Sequence, residues 1–103
     1  MHIGEFEEVV LLAIHGLGDD AYGVPIRVRL NEAGRKASVG ALYVTLERLE
    51  AKGLITSRSG EPTAQRGGRA KIYFRLTSEG NKALSDAEQL RCRLRRNFEP
   101  SMA

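Results

Sequence analysis

The sequence predicts a mainly helical fold with one small β-hairpin, an α+β arrangement in the order α-α-α-β-β-α. The first observation is a helical repeat of apolar residues near the start of the chain, at Phe6, Val9, Val10, Ala13, Ile14 and Leu17. The second is a comparable stripe in the middle, at Val39, Leu42, Leu46 and Leu49. The third is a pair of β-prone runs, 54–58 and 71–76, around a loop rich in turn-forming residues, which indicates a hairpin.

The segment after the first helix allows two interpretations. The run from Gly16 to Asp20 ends that helix, because glycine and aspartate suit turns. Apolar residues then alternate as in a strand, at Val24, Ile26, Val28 and Leu30. The same segment also presents a helical face at Ile26, Leu30 and Ala33, and Pro25 suits a first helical turn. We predict a helix from about Val24 to Ala33 because of the elements that surround it.

The third helix has clear ends. Ser38 offers a side-chain oxygen to the first amides, Lys52 is a favoured cation in the last turn, and Gly53 suits the C-terminal cap. The face opposite the apolar stripe holds Gly40, Ala41, Val44, Glu47, Arg48 and Ala51, with Tyr43 and Thr45 on the two flanks. We expect this face to be open to a partner.

Thr77 begins the last helix, with Glu79 in its first turn. The apolar residues of this helix advance by four, three and four positions, the spacing of a coiled-coil seam, at Ala83, Ala87, Leu90 and Leu94. The seam predicts a dimer interface. The organisation we expect is therefore a winged domain over 4–76, a dimerisation helix over 77–97 and a flexible tail over 98–103.

Three helices followed by a basic hairpin form the winged helix-turn-helix arrangement, in which the third helix enters the major groove of DNA. The charge distribution agrees with a polyanionic partner. The net charge of the whole chain is +3, yet residues 1–34 carry −4 and residues 35–75 carry +6. We call the hairpin with its loop, residues 54–76, the wing.

Three stretches of the sequence, taken together, resemble the PadR family of transcriptional regulators. They are Leu42–Ile55 in the third helix and after it, Leu17–Ile26 with its Tyr-Gly pair, and Arg66–Gly80 with the Leu-Thr-x-Glu-Gly start of the last helix. The resemblance covers roughly residues 4–84. It implies a dimeric bacterial or archaeal regulator, usually a repressor released by a ligand or a stress signal. This chain is short after the last helix, so dimerisation is expected to rest on the terminal helices, and the place of a small-molecule effector stays open.

Several residues are candidates for contact with double-stranded DNA. Arg48 can bond guanine with two hydrogen bonds, or can form a surface ion pair instead. Ala41 and Val44 suit thymine methyl groups. Tyr43 is either an aromatic at the edge of the core or a phosphate contact, and Ser38 combines capping with a possible phosphate bond. The remaining candidates are Thr45 on the helix flank and Arg66, Arg69 and Lys71 on the wing.

The sequence contains no motif that indicates an enzyme: there is no HExxH, no paired cysteine motif and no phosphate-binding loop of the Walker type. We expect no metal and no cofactor. The single cysteine, Cys92, favours the reducing cytoplasm and is read as an ordinary helix residue, with redox sensing as the alternative. No apolar run is long enough for a membrane span.

The competing function is a winged-helix module that binds proteins and not DNA.

Overall fold

The computed structural model describes residues 2–60 and 71–96. Its helices are α1 (Glu5–Leu17), α2 (Gly23–Glu32), α3 (Val39–Ala51) and α4 (Ser78–Arg95), and a short 3₁₀ turn (Gly18–Asp20) separates α1 from α2. The strands β1 (Ile55–Ser59) and β2 (Ile72–Leu76) form one antiparallel pair between α3 and α4. The predicted order α-α-α-β-β-α is confirmed, and the ambiguous second segment is a helix. The tail from residue 97 lies outside the described residues.

Helix α1 lies at the centre of the core and contacts α2, α3, α4 and β2. Because other elements cover it on several sides, α1 buries more side chains than a single apolar stripe would. Val10 and Leu11 are fully buried, and Glu7 and Glu8 are nearly so. The predicted stripe missed Leu11, while Phe6, Val9 and Leu17 are only partly buried. The other elements complete the core with Ile26, Leu30, Leu42, Leu46, Leu49, Leu54, Ile55 and Phe74.

The buried side of α3 differs from the prediction at its first turn. Val39 was expected in the buried stripe, but it is 49% exposed and borders an open groove beside Val24 and Val28 of α2. The first turn of α3 therefore extends past the core. Thr45, 5% exposed, joins Leu42, Leu46 and Leu49 in the buried stripe. This stripe holds α3 on the body of the protein and turns the rest of the helix outward.

Two contacts join the wing to the helices. Opposite residues in the hairpin include Ile55 with Leu76 and Arg58 with Tyr73. Tyr22, the residue before α2, adds an isolated antiparallel bridge to Tyr73, and the Phe74 N–H donates to the Ala21 carbonyl at 2.8 Å. The linker before α2 thus acts as a short third strand. The wing is consequently anchored to the start of α2 as well as to the end of α3.

Helix α4 begins at a tight junction. The Thr77 hydroxyl donates to the Gly53 carbonyl at 2.7 Å and accepts from the Gly80 N–H at 3.0 Å. The Thr77 N–H donates to the Leu54 carbonyl at 3.0 Å. The sequence predicted the capping role of Thr77, and the structure adds its bond to the end of α3. These bonds fix the start of α4 against the chain that enters β1.

The predicted seam of α4 divides into two halves. Ala83, which the sequence assigned to the dimer seam, is 8% exposed and packs in the core of the single chain. Ala87 is partly buried, whereas Leu90 and Leu94 are 50% and 76% exposed. The difference arises because only the first turns of α4 pack on the body. The apolar side chains of its second half are left without cover in the single chain.

One ion pair ties the outer half of α4 to α1. The guanidinium of Arg91 donates two hydrogen bonds to Glu8, Nε to Oε2 at 2.8 Å and Nη2 to Oε1 at 2.9 Å. The hydrogen bonds and the charge of Glu8 raise the pKa of Arg91 above its usual value. Glu8 is 8% exposed and lies on the central helix, so this pair fixes the direction in which α4 leaves the body.

Candidate nucleic-acid interface

The outward face of α3 is a regular, ordered surface. The Ala41 N–H donates to the Ser38 hydroxyl at 3.1 Å, which is the capping bond that the sequence predicted. Beyond the cap, Ala41, Tyr43, Val44 and Arg48 are all exposed. Val44 is 54% exposed although it is apolar, and the buried stripe leaves it no place in the core. The face is therefore rigid in its backbone and mixed in its chemistry.

Thr45 requires a correction among the expected contact residues. Its side chain lies between α3 and the core, and a residue that is 5% exposed has no surface to offer to a groove of DNA. The flank position on the helical wheel was misleading because the buried stripe is wider than the apolar residues alone indicate. Thr45 contributes to the packing of α3.

Arg48 has no ion-pair partner among the described carboxylates. The four ion pairs in this part of the chain are Glu5–Arg35, Glu7–Lys52, Asp19–Arg75 and Glu8–Arg91. Glu50, a nearby carboxylate on the same helix, accepts a hydrogen bond from the Ser57 hydroxyl of β1 at 2.7 Å. The guanidinium of Arg48 thus stays accessible on the outward face of α3.

Tyr43 lies at the edge between α3 and α2. Its side chain is 47% exposed, and its hydroxyl occupies the space that a Cβ atom of Gly23 would need. This close approach explains the glycine of the Tyr-Gly pair in physical terms, since any side chain at position 23 would displace the ring. The hydroxyl lies against Gly23 at the start of α2, so Tyr43 is an aromatic at the edge of α3 with a half-exposed side chain.

A buried carboxylate fixes the end of α3. Glu7 of α1 accepts from the Lys52 ammonium at 2.7 Å and from the Gly4 N–H at 2.8 Å. Burial raises the pKa of Glu7, but the hydrogen bonds from Gly4 and Lys52 and the charges of Lys52 and Arg48 outweigh that effect, so the pKa of Glu7 is lowered from 4.5. The lowered pKa means that folding favours the ionised form.

This shift predicts a pH-dependent contribution to stability. Glu7 is ionised in both the folded and the unfolded chain at pH 7, so the full contribution is present there; it is lost as the pH falls through the lowered pKa of the folded state. We expect Glu7→Gln to reduce the free energy of unfolding by about 1–2 kcal/mol at neutral pH. In urea titrations at several pH values, the difference between the two proteins should shrink towards zero below about pH 4. A difference that stays constant well below that pH, where the carboxyl group is protonated in both states, would contradict the role of the ionised pair.

The outer face of the wing carries cations at alternate positions. Lys71, Tyr73 and Arg75 share this face because side chains alternate along a strand, and Arg58 lies opposite Tyr73 on β1. Lys71, a predicted contact residue, is exposed at the start of β2. Arg66 and Arg69, the other predicted wing contacts, lie outside the described residues. Arg75 lies 3.8 Å from Asp19 in an exposed ion pair, whereas Arg58 and Lys71 lie near the loop end of the hairpin.

Two functional candidates escaped sequence reasoning. Tyr22 contacts both Tyr73 and Lys71, and Arg58 lies over the ring of Tyr73 at 4.8 Å. The period-two pattern of Lys71, Tyr73 and Arg75 was a usable signal for the basic face. Nothing in the local sequence indicated that Tyr22 meets this face, because the contact joins positions about fifty residues apart.

These features define the class of the protein. Helices α2 and α3 form a helix-turn-helix, and α3 presents an open face. A hairpin with a cationic outer face lies next to it, and this combination is the winged helix-turn-helix architecture. The described part of the chain contains no group of three or more His, Cys, Asp or Glu residues arranged to hold a metal ion. None of the described helices has the length and apolar composition to cross a bilayer.

The chain belongs to the PadR-like family of transcriptional regulators, whose family model matches residues 11–86. Transcriptional regulator Rv3488 of Mycobacterium tuberculosis is 36% identical over 72 residues, which are 70% of this chain and 64% of that protein, so the match spans less than two thirds of that relative. The family consists of regulators of transcription and not of enzymes, as the sequence predicted.

Solved structures give the same family and fold. A PadR family transcription regulator from Clostridium difficile has a TM-score of 0.74 at 26% identity, with 92% of this chain and 98% of that chain covered. The structure of Bacillus subtilis PadR in complex with operator DNA has a TM-score of 0.68, with 96% of this chain and 51% of that chain covered. Its identity is 24%, so this likeness concerns the fold.

Proposed function

We propose that this chain binds DNA in a sequence-specific manner as a homodimer, with α3 in the major groove and the wing on the backbone or in the minor groove. The observation that carries the proposal is the outward face of α3, on which Arg48 lies without an ion-pair partner among the described carboxylates. A guanidinium in this setting is free to bond guanine or a phosphate. Operator DNA is also the ligand in the Bacillus subtilis PadR structure.

The roles of the contact residues follow from their chemistry. Arg48 would read a guanine, while Ala41 and Val44 would contact thymine methyl groups. Ser38, at the start of α3, and the hydroxyl of Tyr43 would bond phosphates that flank the read bases. Lys71, and with it the predicted wing residues Arg66 and Arg69, would neutralise phosphates.

The assignment of Arg48 predicts a change in specificity. We expect Arg48→Ala to weaken binding to the preferred sequence by about 1–3 kcal/mol and to relax the preference at one base position of each half-site. Val44→Ser should lose a smaller discrimination of thymine from cytosine nearby. The measurement is a titration of operator variants with single base changes. An equal loss of affinity for every variant would mean that these side chains position the helix and do not read bases.

A homodimer is the second part of the proposal. The apolar side chains of Ala87, Leu90 and Leu94, together with the N-terminal segment His2–Glu5 and Arg91, line a groove of about 450 Å³ between α1 and α4. A second copy of α4 would cover Leu90 and Leu94 and continue the seam that begins with Ala83. Two α3 helices related by a two-fold axis would then read a palindromic operator.

Two further elements complete the proposal. The chain acts as a repressor, as the resemblance implies, because an occupied operator obstructs transcription, and its single cysteine, Cys92, favours the cytoplasm. The effector would be a small molecule, and its place stays open, because the proposed dimer covers the groove between α1 and α4. No membrane partner enters this proposal.

One observation favours the alternative, a module for protein contact. Val24, Val28 and Val39 are exposed around the shallow groove between α2 and α3, and such a patch is an ordinary feature of protein interfaces. This alternative does not require the charge of +6 on residues 35–75. Glu5, Glu7 and Asp19 pair with three of its cations, and DNA binding accounts for the cations that remain, so it is the first candidate.

A gel-shift titration against fragments of the source genome, carried out at two salt concentrations, tests the proposal. We expect a small set of fragments to be retained at the higher salt concentration, because base contacts add to the salt-dependent attraction. If the protein binds no fragment at either concentration, DNA binding is excluded and the alternative remains. If it binds all fragments equally, the claim of sequence specificity is wrong.

A further inference from the structure

Four side chains at the base of the wing's loop, where the two strands meet it, alternate as cation, ring, ring and cation. The Lys71 ammonium lies 4.5 Å from the centre of the Tyr22 ring. That ring meets Tyr73 edge to face, with 5.4 Å between the ring centres and 64° between the planes. The guanidinium of Arg58 lies over the other ring at 4.8 Å. We call these four residues the wing-base cluster.

The cluster joins the hairpin to the helix-turn-helix. Arg58 comes from β1 and Lys71 and Tyr73 come from β2, whereas Tyr22 is the residue that precedes the first turn of α2. The backbone bridge between Tyr22 and Tyr73 aligns the rings, and the Tyr73 ring also covers Gly60, where a Cβ atom would be too close. Lys71 is therefore located relative to the helix-turn-helix and not only relative to the hairpin.

We propose that Tyr22 is a positioning residue for DNA binding: its ring holds the Lys71 ammonium in place for a backbone phosphate, so that the wing and the helix-turn-helix bind as one unit. This inference rests on the proposed function. A lysine side chain has several rotatable bonds, and a lysine that is already ordered loses less entropy when it binds a phosphate. Tyr22 would strengthen the contact without touching DNA.

The ring, and not the hydroxyl, carries the effect. The distance from the Lys71 ammonium to the Tyr22 hydroxyl is 3.5 Å, which is too long for a strong hydrogen bond. The ammonium instead faces the ring, where the attraction is that of a cation to a π system. Phenylalanine at position 22 would keep this attraction, while leucine would remove it and leave the backbone bridge unchanged.

A double-mutant cycle tests the proposal with a labelled duplex of mixed sequence as the probe, because phosphate contacts do not depend on sequence. Fluorescence anisotropy gives the dissociation constant of the wild type, Tyr22→Leu, Lys71→Gln and the double variant over a range of KCl concentrations. Tyr22→Phe is the matched control, and thermal unfolding establishes that each variant is folded.

We expect Tyr22→Leu to weaken binding about three- to tenfold, since both subunits contact one duplex. In the Lys71→Gln background the same substitution should change binding less than twofold. Lys71→Gln should also make the dependence of log affinity on log salt shallower by about one per lysine that contacts a phosphate. Tyr22→Phe should stay within twofold of the wild type.

The outcomes separate this inference from the proposed function. If the wild type does not bind the duplex at low salt, the proposed function itself fails. If the wild type binds but Tyr22→Leu weakens binding by the same factor with and without Lys71, Tyr22 does not act through Lys71 and the inference is overturned. An equal loss in Tyr22→Phe and Tyr22→Leu would assign the effect to the hydroxyl and would also overturn it.

Discussion

Replacing Leu90 or Leu94 by aspartate is expected to yield a folded monomer in place of a dimer. Both side chains are at least half exposed in the single chain, so a carboxylate at either position costs the monomer little. In the proposed dimer the same carboxylate would be buried without a partner, once in each subunit, which costs several kcal/mol and weakens association roughly a thousandfold or more. The loss should therefore affect assembly and leave folding intact.

Sedimentation equilibrium at micromolar concentration measures this effect, and circular dichroism reports on folding. The wild type should have about twice the chain mass of 11.4 kDa, and the aspartate variants should have the chain mass itself. Gln89→Asp is the matched control, because Gln89 is exposed on α4 but does not line the groove with α1. An aspartate variant that stays dimeric would refute this interface.

Replacing Gly80 by alanine is expected to destabilise the fold by about 2–3 kcal/mol and to lower Tm by roughly 10–20 °C. A Cβ atom at this position would collide with the Leu54 carbonyl oxygen and lie 3.0 Å from the Leu54 carbonyl carbon. The clash is with backbone atoms, and Thr77 joins the start of α4 to that backbone through its bonds to Gly53 and Leu54. Helix α4 could therefore accept the methyl group only by moving away from the chain that enters β1.

Gly40→Ala is the control for Gly80→Ala. Gly40 is also in the first turn of a helix, but a Cβ atom there would have no neighbour within 4 Å beyond its chain neighbours and the nearby backbone of its own helix. Alanine has the higher helix propensity, so this substitution should stabilise the chain by up to about 1 kcal/mol. Thermal unfolding at one fixed protein concentration compares the two variants, because Tm depends on concentration in a dimer. Equal effects of the two substitutions would contradict the described junction.

The sequence predicted the elements well where their signals were local. The cap at Ser38, the glycine after α3 and the start of α4 at Thr77 agree with the structure within a residue or two. The strand-like pattern of residues 24–30 was misleading on its own, because Val24 and Val28 are exposed on a helix and do not form an apolar face with Ile26. The order of the elements resolved the ambiguity, since three helices before a hairpin are a familiar arrangement.

The sequence could not predict contacts that depend on tertiary packing. Thr45 was expected on the surface, but the body of the protein covers more of α3 than its leucines indicate. Glu7 and Glu8 look like ordinary surface residues of a helix start, yet each is buried with a cation from a distant helix end, Lys52 and Arg91. Helical periodicity alone predicted which face of α3 belongs to the proposed contact surface. The role of Tyr22 could be inferred only from the folded structure, in which it meets Tyr73 and Lys71.

Hydroxyl-radical footprinting on a genomic fragment that the protein retains at high salt tests the central claim most directly. If a two-fold dimer places two α3 helices in successive major grooves, two protected half-sites should appear, related by a palindrome and separated by about one helical turn, 10–11 base pairs, or a multiple of it. Arg48→Ala should weaken this pattern at a protein concentration that just saturates the wild type. A single asymmetric footprint, or one that Arg48→Ala leaves unchanged, would contradict the account.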